Sequence, residues 1–109
     1  TRTVLSDDTT PNADNPFSYP QVITLDPDPA NNRALVVDRE LDAVIAVDLT
    51  DGTRTVLSDD TTPNADNGFA NPQGISLDSA HNLAYVNDGN LEAVVAVDLQ
   101  TGQRVIFSK

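Results

Sequence analysis

The chain has 109 residues, of which 17 are acidic and 6 are basic, so its formal net charge is −11 at pH 7. A surface with that charge repels phosphate backbones and anionic lipid headgroups, which argues against nucleic acid and membrane surfaces as partners. The absence of Cys excludes disulfides, thiolate metal sites and cysteine nucleophiles.

The chain contains an internal repeat that begins at its first residue. Residues 1–15 (TRTVLSDDTTPNADN) recur without change as residues 53–67, and a third copy starts at Gln103 and continues to Ser108. Self-similarity with a period of about 50 residues is typical of propellers and other repeat architectures. Because the chain begins at Thr1 and contains no Met, we expect it to be a piece of a longer protein.

Within each copy, short runs of β-branched and aliphatic residues alternate with turn-forming residues, a pattern that predicts strands. The first copy holds four such runs, which are Val22–Leu25, Ala34–Val37, Ala43–Val47 and Arg54–Leu57. The second copy holds their counterparts, which are Ile75–Leu77, Ala84–Val86, Ala93–Val97 and Arg104–Phe107. The third run is apolar throughout, which predicts burial of both its faces. The alternation in the fourth run predicts an outer strand with one face in solvent.

The segments between these runs carry residues that suit tight hairpins. The hairpin segments are Asn31–Asn32 and His81–Asn82 after the first run, and Asp51–Gly52 and Thr101–Gly102 after the third. Such residues tolerate positive φ, which hairpin turns require. We therefore expect each copy to form four antiparallel strands, followed by a longer loop to the next copy.

Four antiparallel strands joined by hairpins, and then repeated, are the plan of a β-propeller blade. We expect an all-β fold of two four-stranded antiparallel blades plus one extra outer strand. Residues 1–6 are then the outer strand of a preceding blade, residues 7–58 are blade one and residues 59–109 are blade two.

The second copy resembles the NHL and YVTN-type propeller repeats of bacteria. The resemblance is carried by Phe69, by Asn71–Ile75 (NPQGI), by Leu83–Asp88 (LAYVND) and by Val94–Asp98. The first copy departs from this pattern at Tyr19–Val22, which lacks the glycine. The resemblance implies a six-bladed ring of the gluconolactonase-like or strictosidine-synthase-like superfamily. It implies the fold more than the function, because these repeats occur in enzymes, lectin-like binders and scaffolds.

Two blades alone would leave two apolar sheet faces uncovered, since a blade buries its faces only against its neighbours. We expect a homotrimer that closes a six-bladed ring; a dimer of four blades, a tetramer of eight and the remainder of a longer propeller chain are the alternatives. In a closed trimer, residues 1–6 and a neighbour's Gln103–Ser108 would compete for one sheet edge.

The loop that follows the fourth run is acidic and occurs twice. Its oxygen-bearing side chains are Asp59, Asp60, Asn64 and Asp66 in one copy and Asp7, Asp8, Asn12 and Asp14 in the other. One interpretation is a calcium site, because Ca²⁺ binds about 6 to 8 oxygens. The loop lacks the spacing of an EF-hand, and the favoured interpretation is that these side chains cap the turns of the loop.

A second candidate site is the mouth of the expected channel, where Gln73, Asn87, Asp88 and Asp38 would converge. The family resemblance implies a ligand or metal site there, because gluconolactonase-like propellers hold a metal on Asn, Asp and Glu side chains at the channel. The favoured interpretation is that Asp38 and Asp88 accept hydrogen bonds from backbone amides in the following loop.

The favoured function is a noncatalytic interaction or scaffold module without a cofactor. The alternative is a metal-dependent lactonase-like or lyase-like propeller enzyme with a metal on the channel axis. His81 is the only histidine and lies in an expected turn, so no Ser-His-Asp set can be assembled. Acidity, the lack of cysteine and the family resemblance favour the periplasm or the exterior of a bacterial cell.

Overall fold

The computed structural model describes residues 1–109, which form two four-stranded antiparallel sheets. Sheet 1 contains β1 (Pro20–Leu25), β2 (Arg33–Asp38), β3 (Ala43–Asp48) and β4 (Arg54–Ser58), in that order. Sheet 2 contains β5 (Pro72–Asp78), β6 (Leu83–Asp88), β7 (Ala93–Asp98) and β8 (Arg104–Ser108), also in chain order. The expected all-β fold with two four-stranded antiparallel sheets is confirmed. No helix with the length and apolarity needed to cross a membrane is present.

The hairpin residues adopt the positive φ that their types favour. Asn32 and Asn82 have φ of 43° and 56°, and Gly52 and Gly102 have φ of 81° and 77°. Asn is among the few non-glycine residues that tolerate this region, and Gly adopts it without a steric cost.

Strands β1 and β5 begin earlier than the apolar pattern indicates. In β1 a register shift lies between Pro20 and Val22, and pairing with β2 continues past it, because Pro20 pairs with Asp38. The same shift occurs in β5, between Pro72 and Gly74. One extra residue in a strand produces such a bulge, and an apolar pattern does not reveal it.

The expected burial of β3 is confirmed, because every residue of Ala43–Val47 is buried. A register shift at the end of β4 separates the Val44–Ser58 pair from the Ile45–Val56 pair. Leu57 lies on the same face as Thr55, which is exposed and pairs with the core residue Ala46. The solvent face expected for β4 is covered at Leu57, which is buried in the core against sheet 2.

The main hydrophobic core lies between the two sheets, and we call it the stacking interface. Sheet 1 contributes Leu35, Val37, Val44, Ala46 and Leu57, and sheet 2 contributes Ala84, Val86, Val95 and Val97, with Phe69 and Leu99 at the edges. The Arg33 guanidinium also crosses the interface, since its Nη2 donates a 2.6 Å hydrogen bond to the carbonyl oxygen of Leu99. The apolar cluster supplies the main stabilisation of the pair of sheets.

The opposite face of sheet 1 holds a smaller cluster of Val36, Ala43, Ile45 and Val47, against which Phe17 and Val56 pack. Ile23 lies on this face, because it pairs with Val36, and it is exposed. We call this surface the open face of sheet 1.

Residues 1–6 form no strand, and their last two residues lie against sheet 1. The carbonyl oxygen of Leu5 is so close to Gly52 that a Cβ there would overlap it. The carbonyl oxygen of Leu57 has the same relation to Gly102 in sheet 2. Residues 5–6 therefore contact sheet 1 much as the end of β4 contacts sheet 2. The assignment of residues 1–6 to a preceding blade stays a prediction.

Candidate functional site

Two acidic loops each enclose a buried arginine. Acidic loop 1 (residues 6–15) surrounds the side chain of Arg54, and acidic loop 2 (residues 58–67) surrounds that of Arg104. Arg54 is the first residue of β4 and Arg104 is the first residue of β8. They are only 1% and 3% exposed. A buried guanidinium requires partners for its N–H groups, and each loop provides them.

The Arg104 guanidinium donates six hydrogen bonds to five acceptor atoms around acidic loop 2. Nη1 donates to Ser58 Oγ at 2.6 Å and to the Thr62 carbonyl oxygen at 3.1 Å. Nη2 donates to the carbonyl oxygens of Asn64 and Asp66, both at 2.8 Å, and Nε donates to those of Asp66 and Asn67 at 3.1 and 2.9 Å. Burial lowers the pKa of this guanidinium, while the nearby carboxylates of acidic loop 2 oppose that shift.

The Arg54 guanidinium binds acidic loop 1 in the same way. Nη1 donates to Ser6 Oγ at 2.6 Å and to the Thr10 carbonyl oxygen at 3.0 Å. The carbonyl oxygens of Asn12, Asp14 and Asn15 accept the remaining bonds, at 2.8 to 3.1 Å. Each guanidinium also lies 5.6 Å from a phenylalanine ring centroid, Phe17 for Arg54 and Phe69 for Arg104, within cation–π range.

The acidic side chains at the start of each loop cap its first turn. Asp59 Oδ1 accepts hydrogen bonds from the N–H groups of Thr61 and Thr62 at 2.9 and 2.6 Å, and Asp7 does the same for Thr9 and Thr10. Burial raises the pKa of Asp59, but the hydrogen bonds together lower it by more than burial raises it, so the net shift is downward. For Asp7 the bonds from the backbone N–H groups dominate, and its pKa is lowered.

The remaining calcium candidates serve the loops or lie in solvent. Asn12 and Asn64 accept hydrogen bonds from the N–H groups of Asp14 and Asp66. The side chains with exposed positions and no such role are Asp8, Asp14, Asp60 and Asp66. No three His, Asp or Glu side chains lie close enough together to form a metal cluster. The loop carbonyl oxygens bind an arginine, and calcium binding at these loops stays a prediction.

At the expected channel mouth, Asp38 and Asp88 are both buried and both bind backbone N–H groups. Asp38 accepts from the N–H groups of Ser18 and Tyr19 at 2.8 to 3.1 Å, and from two in the turn that follows β2. Asp88 accepts at 2.8 to 3.1 Å from the corresponding amides of sheet 2, which are those of Ala70, Asn71, Asn90 and Leu91. Each carboxylate fixes two loops at one end of its sheet.

Gln73 and Asn87 are exposed at the same end of sheet 2. The Gln73 amide lies beside Gly89, and Asn87 lines a shallow recess of about 310 Å³ together with Asp88. Burial raises the pKa of nearby Asp42, and the carboxylates of Asp88, Asp60 and Asp38 raise it further. Asp38 and Asp88 therefore disfavour a further negative charge at Asp42, and ligand binding by the four candidates stays a prediction.

His81 lies in the β5–β6 turn, where the sequence placed it, and it is exposed. Its Nδ1 lies 2.8 Å from Asp78 Oδ2, which also accepts a hydrogen bond from the Tyr85 hydroxyl. The pKa of Asp78 is lowered, chiefly by the hydrogen bond with His81. The imidazole is therefore a turn residue paired with one carboxylate.

Sequence reasoning missed the role of the two arginines, although the repeat contains a signal for it. The three copies of the outer-strand segment read TRTVLS, TRTVLS and QRVIFS, so only the arginine and the serine are unchanged in the third copy. These are the two residue types that pair as Arg54 with Ser6 and as Arg104 with Ser58. No protein-family model matches this sequence, and a search of curated proteins finds no similar one.

Proposed function

We propose that this chain is a noncatalytic interaction module made of two β-propeller blades, which acts by stacking with further blades of the same kind into a six-bladed ring. The observation that carries the proposal is the junction between the sheets, where Arg104 of β8 binds Ser58 of β4 and the loop that follows it. The same junction is present a second time, between Arg54 and Ser6, which ends the first copy of the outer-strand segment.

The two junctions support stacking in one direction, because each joins the start of one outer strand to the end of the outer-strand segment before it. A contact that repeats head to tail generates a ring if its rotation closes. Propellers of 4 to 8 blades are closed arrangements of this type.

The engagement of the polar side chains supports a noncatalytic role. Asp38 and Asp88 bind backbone N–H groups through both carboxylate oxygens, and Asp59 caps the turn of its loop. A general acid or a metal ligand needs a carboxylate that is directed at a substrate or an ion. These groups instead hold the loops that position the stacking surfaces.

The experiment is sedimentation velocity over a wide range of protein concentration, together with a lactone-hydrolysis screen, each with and without added Ca²⁺. We expect concentration-dependent association and no turnover of any lactone under either condition. Metal-dependent turnover would favour the lactonase-like enzyme, and a single-chain species at every concentration would contradict the stacking proposal.

A further inference from the structure

The open face of sheet 1 is an apolar surface with a groove of about 410 Å³. The groove is lined mainly by hydrophobic residues, among them Val4, Leu5, Phe17, Val36 and Val47. Ile23, at its edge, is 65% exposed. The floor of the groove, which includes Val36 and Val47, is buried, whereas Val4, Leu5 and Ile23 are exposed around it. Adjoining exposed apolar residues of this kind mark an interaction site.

The internal repeat identifies the kind of surface that covers this face. Five residues of the open face of sheet 1 have counterparts on the face of sheet 2 that packs in the stacking interface. The counterparts are Ile23 and Ile75, Val36 and Val86, Ile45 and Val95, Val47 and Val97, and Val56 and Ile106. In the stacking interface, this face of sheet 2 is covered by the face of sheet 1 that carries Leu35, Val44 and Leu57. A sheet face that resembles that covering face should therefore fit the open face of sheet 1.

The chain has a second face of that kind, on the outside of sheet 2. We call it the open face of sheet 2; its apolar residues and their counterparts in the stacking interface are Tyr85 and Leu35, Val94 and Val44, Ala96 and Ala46, and Phe107 and Leu57, while the polar Asn87 has the place of Val37. Phe107 packs on Tyr85 with a centroid distance of 5.1 Å and is 66% exposed, whereas Leu57 is 9% exposed. The counterpart of a buried leucine is thus a larger aromatic residue that lies in solvent.

Ser108 provides an independent observation. It is the third-copy counterpart of Ser6 and Ser58, each of which accepts a hydrogen bond from a buried arginine. The arginines of this chain bind those two serines and leave Ser108 exposed. An additional sheet stacked on the open face of sheet 2 would bring the next arginine to Ser108.

We propose that a second copy of the chain docks head to tail, its open face of sheet 2 on the open face of sheet 1, with its Phe107 and Ser108 replacing Leu5 and Ser6. The replacement is required by the geometry, because Leu5 lies against Gly52 as Leu57 lies against Gly102. The end of the incoming β8 would therefore need the position beside Gly52 that Leu5 and Ser6 occupy. Residues 1–6 thus act as an intrachain substitute for the outer strand of the neighbour. This inference rests on the proposed stacking function and adds to it the surfaces, their direction and the exchange.

The apolar residues of the two open faces carry no charge, while each chain as a whole carries −11. Long-range repulsion therefore opposes association at low ionic strength, and salt screens it within about 10 Å at 0.1 M. Hydrophobic burial at the contact does not depend on that screening. Docking of a second copy should therefore be stronger at 0.5 M NaCl than at 0.02 M NaCl.

The test uses the full chain with one substitution on each face, followed by sedimentation velocity. Ile23→Lys charges the open face of sheet 1 and Phe107→Asp charges the open face of sheet 2, and both residues are exposed, so folding should be retained and is checked by circular dichroism. We expect each variant alone to be monomeric and a mixture of the two to form a 1:1 dimer and nothing larger. The reason is that each variant keeps one intact face, and the two intact faces are complementary.

The matched control is Val105→Lys. Val105 is the counterpart of Thr55, which stays exposed beside the stacking interface, so this variant should associate like the unmodified chain. If the unmodified chain associates and either face variant still associates with itself, or if the mixture remains monomeric, the docking inference is overturned while the stacking function stands. A monomeric unmodified chain would instead remove the proposed function.

The exchange predicts opposite effects for two serine substitutions. Ser108→Ala removes the incoming partner of Arg54 and should weaken association about tenfold, as expected for the loss of a charge-assisted hydrogen bond. Ser6→Ala removes the resident partner and should leave association unchanged or strengthen it. Equal weakening by both substitutions would contradict the exchange.

Discussion

The guanidinium of Arg104 donates a 2.6 Å hydrogen bond to Ser58 Oγ, which ties the first residue of β8 to the last residue of β4. The same guanidinium binds the carbonyl oxygens of acidic loop 2. One side chain thus fastens its own strand, the outer strand of the neighbouring sheet and the loop between the sheets. Hydrogen bonds from a charged donor are about twice as strong as neutral ones, so we expect the Arg104 junction to contribute strongly to stability.

Arg104→Ala should destabilise the protein by about 3 kcal/mol, because it leaves buried carbonyl oxygens and Ser58 without a donor. Urea unfolding at equilibrium measures the loss. Arg104→Lys should recover only a small part of it, since an ammonium group keeps the charge but cannot reach all the acceptors of the planar guanidinium.

The matched control for Arg104 is Arg2, which has the same place in the repeat but is exposed. Arg2→Ala should change the free energy of unfolding by less than about 0.5 kcal/mol. Similar losses for the Arg2 and Arg104 variants would show that the buried guanidinium has no special role.

Asp38→Ala should lower stability by about 3 kcal/mol, since it removes the acceptor for backbone N–H groups that include those of Ser18 and Tyr19. Asp28→Ala is the comparison, because Asp28 caps a single exposed N–H group, that of Ala30, and its loss should cost less than about 1 kcal/mol. Thermal unfolding of both variants measures the difference. An equally stable Asp38→Ala protein would mean that this carboxylate does not fix the loops.

Asp42 and Asp59 should have opposite effects on the pH dependence of stability. The pKa of Asp42 is raised by folding, so its ionisation opposes folding above that raised pKa, and Asp42→Asn should stabilise the protein at pH 7. The pKa of Asp59 is lowered by folding, so Asp59→Asn should destabilise the protein at pH 7. Each effect should be below about 1 kcal/mol, because both groups are partly in solvent.

Both effects should disappear on acidification, which urea unfolding at a series of pH values measures. The benefit of Asp42→Asn should decline as the pH falls through the raised pKa towards the ordinary value of 3.8. The stabilisation by Asp59 should persist above 3.8 and decline as the pH falls through its lowered pKa. Effects of the same sign, or effects that do not change with pH, would disagree with the carboxylate environments.

Gly102→Ala should cost more than Gly52→Ala. Both positions have positive φ, which alone costs an alanine about 1 to 2 kcal/mol. A Cβ at Gly102 would also overlap the Leu57 carbonyl oxygen of β4, whereas one at Gly52 would overlap that of Leu5, which lies in no strand and can move away. Denaturant unfolding should rank the losses in that order, and the reverse order would be inconsistent with a fixed β4 and a displaceable Leu5.

The strands could be predicted from sequence because the same apolar runs and hairpin residues recur in both copies of the internal repeat. Asn32 and Gly52 adopt the positive φ that their types indicate. Asp42 and Glu92 also have positive φ, of 51° and 52°, but nothing in their residue types distinguished them from ordinary turn residues. The burial of Leu57 could not be predicted from the pattern either, because it depends on the contact with sheet 2, and Phe107 at the same place in β8 is exposed.

The interior of the acidic loops could not be predicted from residue types. An arginine at the start of an amphipathic strand is expected to be exposed to solvent. Only the three-dimensional fold brings the Arg54 guanidinium to the carbonyl oxygens of Asn12 and Asp14. Asp38 was open to two interpretations, and its bonds to the N–H groups of Glu40 and Leu41 agree with the favoured one, that it binds amides in the following loop. Its bonds to Ser18 and Tyr19, in the loop before β1, were not foreseen.

The measurement that tests the stacking of these sheets most directly is the mass of the assembly by native mass spectrometry over a range of protein concentrations. We expect a dominant species of three times the 11.6 kDa chain mass, the closed ring of six blades. A single-chain mass at every concentration would contradict it.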